Sequence, residues 1–508
     1  MDRAERVPVA IVGAGPVGLA AALDLARHGI RSVVLDMKPQ VAWTSRAICI
    51  SRRSLEILDR IGEGGRIAAK GLGWTSGTTF HRERPVFRLE MPHGPADRHP
   101  PFVNIQQFWT ESFLLAALAD TGLAAIRWNA EVTGLSQGAE GATLTLADGG
   151  SLSAAYVVAA DGGRSRLREL LGLRLEGTSY EGRYLIADIE IGAPRAVERQ
   201  VWFDPPSNPG STTILHVQPD GVWRLDFQLT DEDDAEAELS PERLSARIGR
   251  HLAMLGLAGE PWRLLWSSLY RAHCLTLPDY VSGRVAFAGD AAHLVPIFGV
   301  RGLNSGFDDA HNLAWKLAAL LDGSAGPGLL ASYSAERVAA TRHNIAEATK
   351  STWFMSPPSP GFRLLRDAAV ALAGDHPAFR PLINPRQSAP FAYTHSPLTT
   401  PDPAPGAGVA AGQPLPDLPL PDGSRLHARL PRRGFAVLGC GVPAPRVAGA
   451  AALDLPPLPE LTGDACPVLL VRPDEYVAAR FASAEAAPVA AALSRALGHE
   501  QSARSAAA

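Results

Sequence analysis

The stretch that most restricts this chain runs from Val7 to Asp36, VPVAIVGAGPVGLAAALDLARHGIRSVVLD. Val9 to Val12 is a short apolar run suited to a strand buried on both faces. Gly13, Gly15 and Gly18 follow in G-x-G-x-x-G spacing. Leu19, Leu23 and Ala26 then recur at helical spacing, Gly29 supplies a stop, and Ser32 to Leu35 predicts a second strand ending at Asp36. The first glycine permits a tight turn, the second lets backbone approach a pyrophosphate, and the third lets helix and strand pack closely. The helix N-terminus then faces the ligand's negative charge. Asp36 stands eighteen residues beyond Gly18, where a carboxylate can accept hydrogen bonds from a ribose hydroxyl. A glycine-rich turn explains a bare G-x-G-x-x-G equally well, but strand, helix, second strand and acid are all in place here, so a dinucleotide site is expected. A membrane span over Val7 to Ala26 is opposed by Pro8, Pro16, the three glycines and Asp24.

A chain of 508 residues suggests two or three domains and can bury a large core. Its net charge of −4 favours neither nucleic acid nor an anionic membrane as partner. The cysteines, Cys49, Cys274, Cys440 and Cys466, form no C-x-x-C and no metal-like spacing, so no metal site is expected. Few cysteines and no signal peptide ahead of the first strand point to the cytoplasm.

Beyond Asp36, Leu55, Leu58 and Ile61 form an apolar helical stripe after Ser45-Arg46-Ala47. Arg46 could bind a phosphate, or be one surface arginine among several. Gln107 starts an amphipathic helix and is a cofactor contact or a polar cap. Leu144 and Leu146 alternate with threonines, Asp148-Gly149 turns the chain, and Tyr156 to Ala160 returns as an apolar strand. That strand ends in DGGRSRLR, and Asp161-Gly162 at its carboxyl end is either a plain turn or a ligand position in an open α/β sheet. Residues 184 to 230 read as a mixed or antiparallel sheet inserted into the nucleotide fold. Trp223, Leu225, Phe227 and Leu229 share one face of its clearest strand, and Arg224, Asp226 and Gln228 share the other, expected to be solvated rather than to hold a catalytic Arg224–Asp226 pair.

A third informative stretch is GRVAFAGDAAHLVPIFGVRGLNSGFDDAHNLAWKLAALL, Gly283 to Leu321. Arg284 to Ala288 predicts a strand, Gly289-Asp290 ends it, and a glycine-bearing loop leads into a helix. Asp290 can hold a ribityl or ribose hydroxyl, and the amides near Gly302 to Asn304 favour negative charge on a bound ring. His293 reads as structural.

Taken in order, the glycine motif with Asp36, the Asp-Gly pair of DGGRSRLR and the Gly-Asp of GRVAFAGDAAH resemble the FAD-dependent aromatic hydroxylases. These are the class A flavoprotein monooxygenases typified by para-hydroxybenzoate hydroxylase and phenol hydroxylase, and the likeness spans roughly residues 7 to 395. The resemblance implies that Gly13, Gly15 and Gly18 line the FAD pyrophosphate and Asp36 holds the adenosine ribose. It implies FAD contacts for Arg46 and Gln107, and an FAD and NAD(P)H role for Asp161 and Gly162. Asp290 would hold the ribityl chain, with Pro296, Gly299, Gly302, Leu303 and Asn304 near the isoalloxazine. Relatives carry a Gly-Gln-Gly-like run where this chain has Gly299-Val300-Arg301-Gly302, so Arg301 could tune substrate charge preference. The implied reaction uses NAD(P)H and O2 to hydroxylate a phenolic or related aromatic compound through a flavin C4a-hydroperoxide. The alternatives are Baeyer–Villiger insertion, epoxidation or antibiotic inactivation on a polycyclic aromatic, or a flavin-binding protein without turnover.

A phenol with pKa about 10 needs a hydrogen-bond acceptor to ionise at neutral pH. Tyr184, His216, Tyr270 and His273 are candidates, each equally readable as a packing residue, and no choice among them follows from the sequence. FAVLGCGVPA, from Phe435, imitates a second nucleotide motif, but Pro443 and Pro445 oppose a helix and no ribose acid follows, so it reads as a turn.

The expected fold class is α/β. A Rossmann-type FAD-binding domain covers 1–180 and 281–395, with connecting helices, and a substrate-binding β-sheet covers 181–280. A Pro/Gly-rich linker occupies 396–423. Residues 424–500 resemble the C-terminal thioredoxin-like domain of the phenol hydroxylase branch, without its redox motif, leaving packing or homodimer contacts as its role. The chain is expected to fray from about Gln501.

Overall fold

The computed structural model describes residues 5–499, apart from 44, 384–386, 403–405 and 464. The expected fraying from Gln501 lies outside the described residues. The first sheet has eight strands, six of them in the order Val281–Ser282, Val285–Phe287, Ser151–Ala159, Glu5–Val12, Ser32–Leu35, Ala124–Arg127. The strands from 285 onward in this order run parallel, while Val281–Ser282 and the hairpin Val132–Gly138/Gly141–Leu146 pair antiparallel. Val9, Ile11, Val34, Val157 and Val158 are buried because helices cover both faces. The first helix, Pro16–Arg27, begins with Pro at its first turn and no capping side chain, which leaves its leading amides available. It packs on the long helix Gly302–Leu321 that follows the Asp290 turn.

The second sheet also has eight strands, in the order His293–Leu294, Trp262–Thr276, Glu176–Ile191, Val222–Leu229, Thr212–Gln218, Arg199–Phe203, Ser76–His81, Arg84–Glu90. All its neighbours pair antiparallel except Arg199–Phe203 with Ser76–His81. Strand alternation divides its residues between two faces. Leu185, Leu215, Trp223, Leu225 and Phe227 pack on the helix Pro241–Met254 through Leu244, Ile248 and Leu252. Each such buried side chain contributes about 1.5–3 kcal/mol. The opposite face carries Tyr184, Asp188, Arg199, His216, Arg224 and Asp226, and lies under Phe298 and the end of the helix Leu329–Met355. The expected solvated face is therefore buried. The two outermost strands of this sheet come from residues 76–90, within the stretch expected to belong to the nucleotide domain.

The third sheet orders Ala450–Leu455, Phe435–Cys440, Val468–Val471 and Val477–Phe481, the first pair parallel and the others antiparallel. The helix Ala486–Ala496 covers one side through Val489 and Leu493. Where it is described, the run 396–423 is packed rather than free. Leu415 and Leu420 are buried against the sheet, and Pro414 bridges to Tyr476. No helix follows Cys440, as its prolines require. Among the described residues no helix is long and apolar enough to cross a membrane.

Candidate active site

The glycine turn is built for close approach. Gly13 has φ +108°, and a Cβ there would strike the Ala160 carbonyl, while one at Gly18 would strike the Gly13 carbonyl. At Gly15 a Cβ would meet nothing within 4 Å, so this side of the turn is open at the helix N-terminus. Asp36 accepts from the Ala14 amide at 2.7 Å and from the Lys38 amide at 2.8 Å, which fastens the turn to the end of the second strand. Each carboxylate oxygen keeps a further lone pair.

Gln107 and Arg224 both hold the 45–47 loop. Gln107 accepts from the Ala47 amide at 3.0 Å, donates to Glu111 at 2.8 Å, and receives Ser45 Oγ at its own amide, which donates at 2.9 Å. Arg224 donates to the Arg46 carbonyl at 2.7 Å and to the Ser45 carbonyl. The Arg46 side chain is exposed and its charge acts on Glu111 and Asp290.

Asp161 accepts from the Leu167 amide at 3.1 Å, while its Oδ1 is buried with no hydrogen-bond partner. Burial pushes its carboxyl above the usual range, against the pull of Ser165 and nearby amides. Gly162 follows with φ +82°. Arg168 donates to the Gly163 carbonyl at 2.6 Å and to the Ala291 carbonyl at 3.0 Å, joining the Asp161 turn to the Asp290 turn. Asp290 is exposed to solvent, yet the surrounding protein raises its carboxyl, opposed by His293 and Arg46. His293 is held by a different set of partners. It meets Asp309 at 2.7 Å, Asp309 also accepts from the Gly289 amide at 2.9 Å and pairs with Arg337 at 2.6 Å, and all three side chains are buried. His293 is structural.

Pro296 and Gly299 are buried in the next loop, and Leu303 is half-buried. Gly299 has φ +86° and Val300 φ +60°, a strained conformation for a β-branched residue. Asn304 closes this loop. It accepts from the Ser51 amide at 2.9 Å and donates to the Val300 carbonyl at 2.7 Å and the Cys49 carbonyl at 3.2 Å. At Gly302, a Cβ would come no nearer than 3.9 Å to the Val295 carbonyl, so the helix N-terminus is open. The Arg301 side chain is buried, donating to Asn344 at 2.6 Å and to the Gln387 carbonyl at 3.3 Å. These two bonds tie it to the long helix Leu329–Met355 and to Gln387.

On the buried polar face of the second sheet, Arg199, His216, Arg224 and Asp188 stand side by side across four strands. Arg224 grips Asp188 through two bonds of 2.7 Å; its partner is Asp188, not Asp226. Burial, aided by the cations Arg199 and Arg224, lowers His216 to about 3, so its imidazole is neutral. Tyr184 bonds Ser356 at 2.9 Å and meets Phe298 edge-on at 5.3 Å. Burial raises the Tyr270 hydroxyl, and its hydrogen bond to the Ile297 backbone opposes this, so Tyr270 buttresses the 296–299 loop. His273 bonds Ser179 at 2.8 Å and stands seven residues along its strand from Trp266, the partner of Asp188, well away from that row. Between loop and sheet lies a small gap of about 20 Å³, lined by Arg199, Val201, Phe203, Phe298 and Met355 among others.

The sequence reading missed Arg199, Asp188 and Asp309. A usable signal existed for the second: Asp188 sits in YLIADIE at the register that opposes Arg224, and two alternating polar runs that match in charge can pair under cover.

The model of the FAD binding domain family matches residues 6–348. The chain belongs to the FAD-dependent aromatic monooxygenases. It is 30% identical over 432 residues to the 3-(3-hydroxyphenyl)propionate/3-hydroxycinnamic acid hydroxylase 2 of Burkholderia vietnamiensis, covering 81% of this chain and 74% of that one. A flavin-dependent monooxygenase of Mycobacteroides abscessus is 29% identical, over 92% of this chain and 96% of its own. The crystal structure of the flavin-dependent monooxygenase PieE with FAD and substrate superposes with a TM-score of 0.83 at 24% identity, covering 97% and 99% of the two chains, and shares the fold. This monooxygenase therefore uses FAD, with NAD(P)H as co-substrate.

Proposed function

We propose that FAD lies along the seam between the first sheet and the Asp290 turn, and that a phenolic substrate enters between the 296–299 loop and the polar face of the second sheet. The single observation that carries this reading is the shared wall: the 296–299 loop covers that face through Phe298 and leads directly into the open helix N-terminus at Gly302. In this reading the pyrophosphate rests on the Gly13–Gly18 turn, where Gly15 leaves room, and Asp36 offers its remaining lone pairs to the adenosine ribose. Asp290, exposed at its turn, takes the ribityl hydroxyls, and Asp161 Oδ1, buried without a partner among the described residues, is an acceptor awaiting a donor at the same seam. Pro296, Gly299, Gly302, Leu303 and Asn304 border the isoalloxazine, Asn304 by holding the loop's shape.

Bound FAD supplies the electron and oxygen chemistry that side chains lack. The chain's own task is to hold, orient and dry the site. Phe203, Phe298 and Met355 exclude water from the ring to be hydroxylated. Gln107 and Arg224 hold the 45–47 loop, whose Arg46 charge reaches Asp290. The Burkholderia relative's named substrate carries a phenolic hydroxyl, which supports phenols as the substrate class. Four free, buried cysteines and a need for NAD(P)H support a cytoplasmic setting. The C-terminal sheet supports a thioredoxin-like unit without thiol chemistry, since Cys440 and Cys466 are buried.

The test is NAD(P)H oxidation by the FAD-loaded protein against a panel of phenols, with product masses. Stimulated oxidation with one added oxygen is expected. Failure to bind FAD, or oxidation that no phenol stimulates, would overturn the reading.

A further inference from the structure

Asp226 lies two residues along its strand from the Arg199–His216–Arg224–Asp188 row, on the same buried face, between Ile214 and Ile186 of its neighbouring strands. It is 6% exposed and among the described residues its side chain makes no hydrogen bond, and its Oδ1 is fully buried. A buried carboxylate oxygen without a partner is costly and is seldom kept for stability alone. The side chain of Arg199, at the end of the row, borders the gap under Phe298 and among the described residues makes no hydrogen bond or ion pair, although its charge acts on Asp226. A cation and a carboxyl thus share this face, with one strand between them and no bond joining them. The Nδ1 of His216, between them, is also buried without a partner. Tyr184 and Phe298 supply aromatic surface beside the trio. The polar equipment fits a ring bearing an ionisable hydroxyl.

We propose that Asp226 is the catalytic residue that accepts the proton of the substrate's phenolic hydroxyl, leaving the oxyanion to Arg199. The inference rests on the phenol reading above. In the step, the phenol O–H bond breaks, its electron pair stays on the phenol oxygen, and a new O–H bond forms on the Asp226 carboxylate. No electrons are exchanged with any other group. The ionised ring is the more electron-rich partner for oxygen transfer, and the positive guanidinium holds its charge in a site without water.

The groups that face Asp226 set its working range. Burial raises its carboxyl to about 7, opposed by Arg224 and Arg199 and aided by Asp188. Tyr184 and the neutral His216 complete the sheet side, Arg366 of the helix Pro360–Ala373 acts on Tyr184, and the 296–299 loop brings no titratable side chain. A carboxyl poised there is ionised in mildly alkaline solution and can take a proton from a phenol held against Arg199.

The test uses the FAD-loaded protein without NAD(P)H and 3-nitrophenol as probe, buffered above about pH 7, where Asp226 is ionised, but below the probe's own pKa. The wild type is expected to generate the phenolate absorption band on binding, in saturable fashion. D226N is expected to lose that band, to lower kcat about 100-fold or more with the best phenol of the panel, and to abolish the rise of kcat through about pH 7. At pH 8 it should melt no lower than the wild type, because it replaces a buried charge with a neutral isostere. R199M should weaken binding of the ionised probe. No band in the wild type, a band that D226N keeps, or a D226N protein that fails to fold would each overturn the proposal, the last by assigning the carboxylate to the fold. Wild-type FAD binding and phenol-stimulated oxidation decide the parent reading separately. If they succeed while D226N matches the wild type, only the assignment of Asp226 falls.

Discussion

Replacing Glu475 by Gln tests how the C-terminal sheet is fastened to the nucleotide fold. Glu475 is 0% exposed and lies 3.0 Å from Arg53, 2.6 Å from Arg60 and 3.5 Å from His311, while His311 also meets Asp24 of the first helix at 2.6 Å. E475Q keeps the shape and removes the charge, leaving three cationic groups facing one carboxylate fewer. Breaking a buried pair from one side costs about 3–5 kcal/mol. Unfolding entropy of about 2.1 cal/mol/K per residue makes that a fall in Tm of about 3–5 °C for a chain of 508 residues. Burial pushes Glu475 up, but His311, Arg60 and Arg53 outweigh it and hold the carboxyl well below its usual range. Its contribution is present above the unfolded carboxyl pKa of about 4.3 and is lost as pH falls. Burial lowers His311, but Asp24 and Glu475 outweigh it and raise it to about 10. That contribution is complete below the unfolded histidine pKa of about 6.5 and is lost as pH rises through about 10. The gap in Tm between wild type and E475Q should therefore be widest at about pH 5–6.5 and narrow on either side. Calorimetry across pH is the assay, with the exposed Arg84–Asp375 pair as control, since D375N should leave the melt unchanged. A fall in E475Q of less than about 1 °C at pH 6 would refute the reasoning.

Gly13→Ala should lower both Tm and bound flavin per protein, read from visible absorbance, because φ +108° and the Ala160 carbonyl leave no place for a Cβ. Full flavin retention would mean the turn can rearrange. Asp309→Asn should loosen the Asp290 turn and weaken FAD binding, measured by titration of the apoprotein. Burial pushes the Asp309 carboxyl up, but His293 and Arg337 outweigh it and hold it at about 2, so its stabilising effect is present above an unfolded pKa of about 3.9 and is lost in stronger acid.

The β-α-β unit was legible because its signals are local: Ser32–Leu35 and the helix opening at Pro16 fall where glycine, proline and periodicity put them. The third sheet's strands Phe435–Cys440 and Val468–Val471 are local apolar runs of the same kind. The strand pair at 76–90 was not legible, because HRERPVFRLE is charged and broken by proline, and it is held by parallel pairing to Arg199–Phe203, over a hundred residues away. The polar face of the second sheet was misread for a related reason. Alternation tells which side chains share a face but not what covers it, and Arg224 is buried only because Asp188 and the 45–47 carbonyls neutralise it. The same blindness hid Glu475, whose partners lie on helices about 160 to 420 residues earlier. At Asn304 the sequence position was informative but the geometry was not, since its side-chain bonds close a loop.

The measurement that tests the central claim most directly is turnover of the FAD-loaded protein with NAD(P)H and a stimulating phenol under 18O2. The account predicts a hydroxylated product carrying a single 18O atom from the gas, with NAD(P)H consumed in step. A product whose new oxygen comes from water, or NAD(P)H consumption that yields only hydrogen peroxide with every phenol tested, would contradict it.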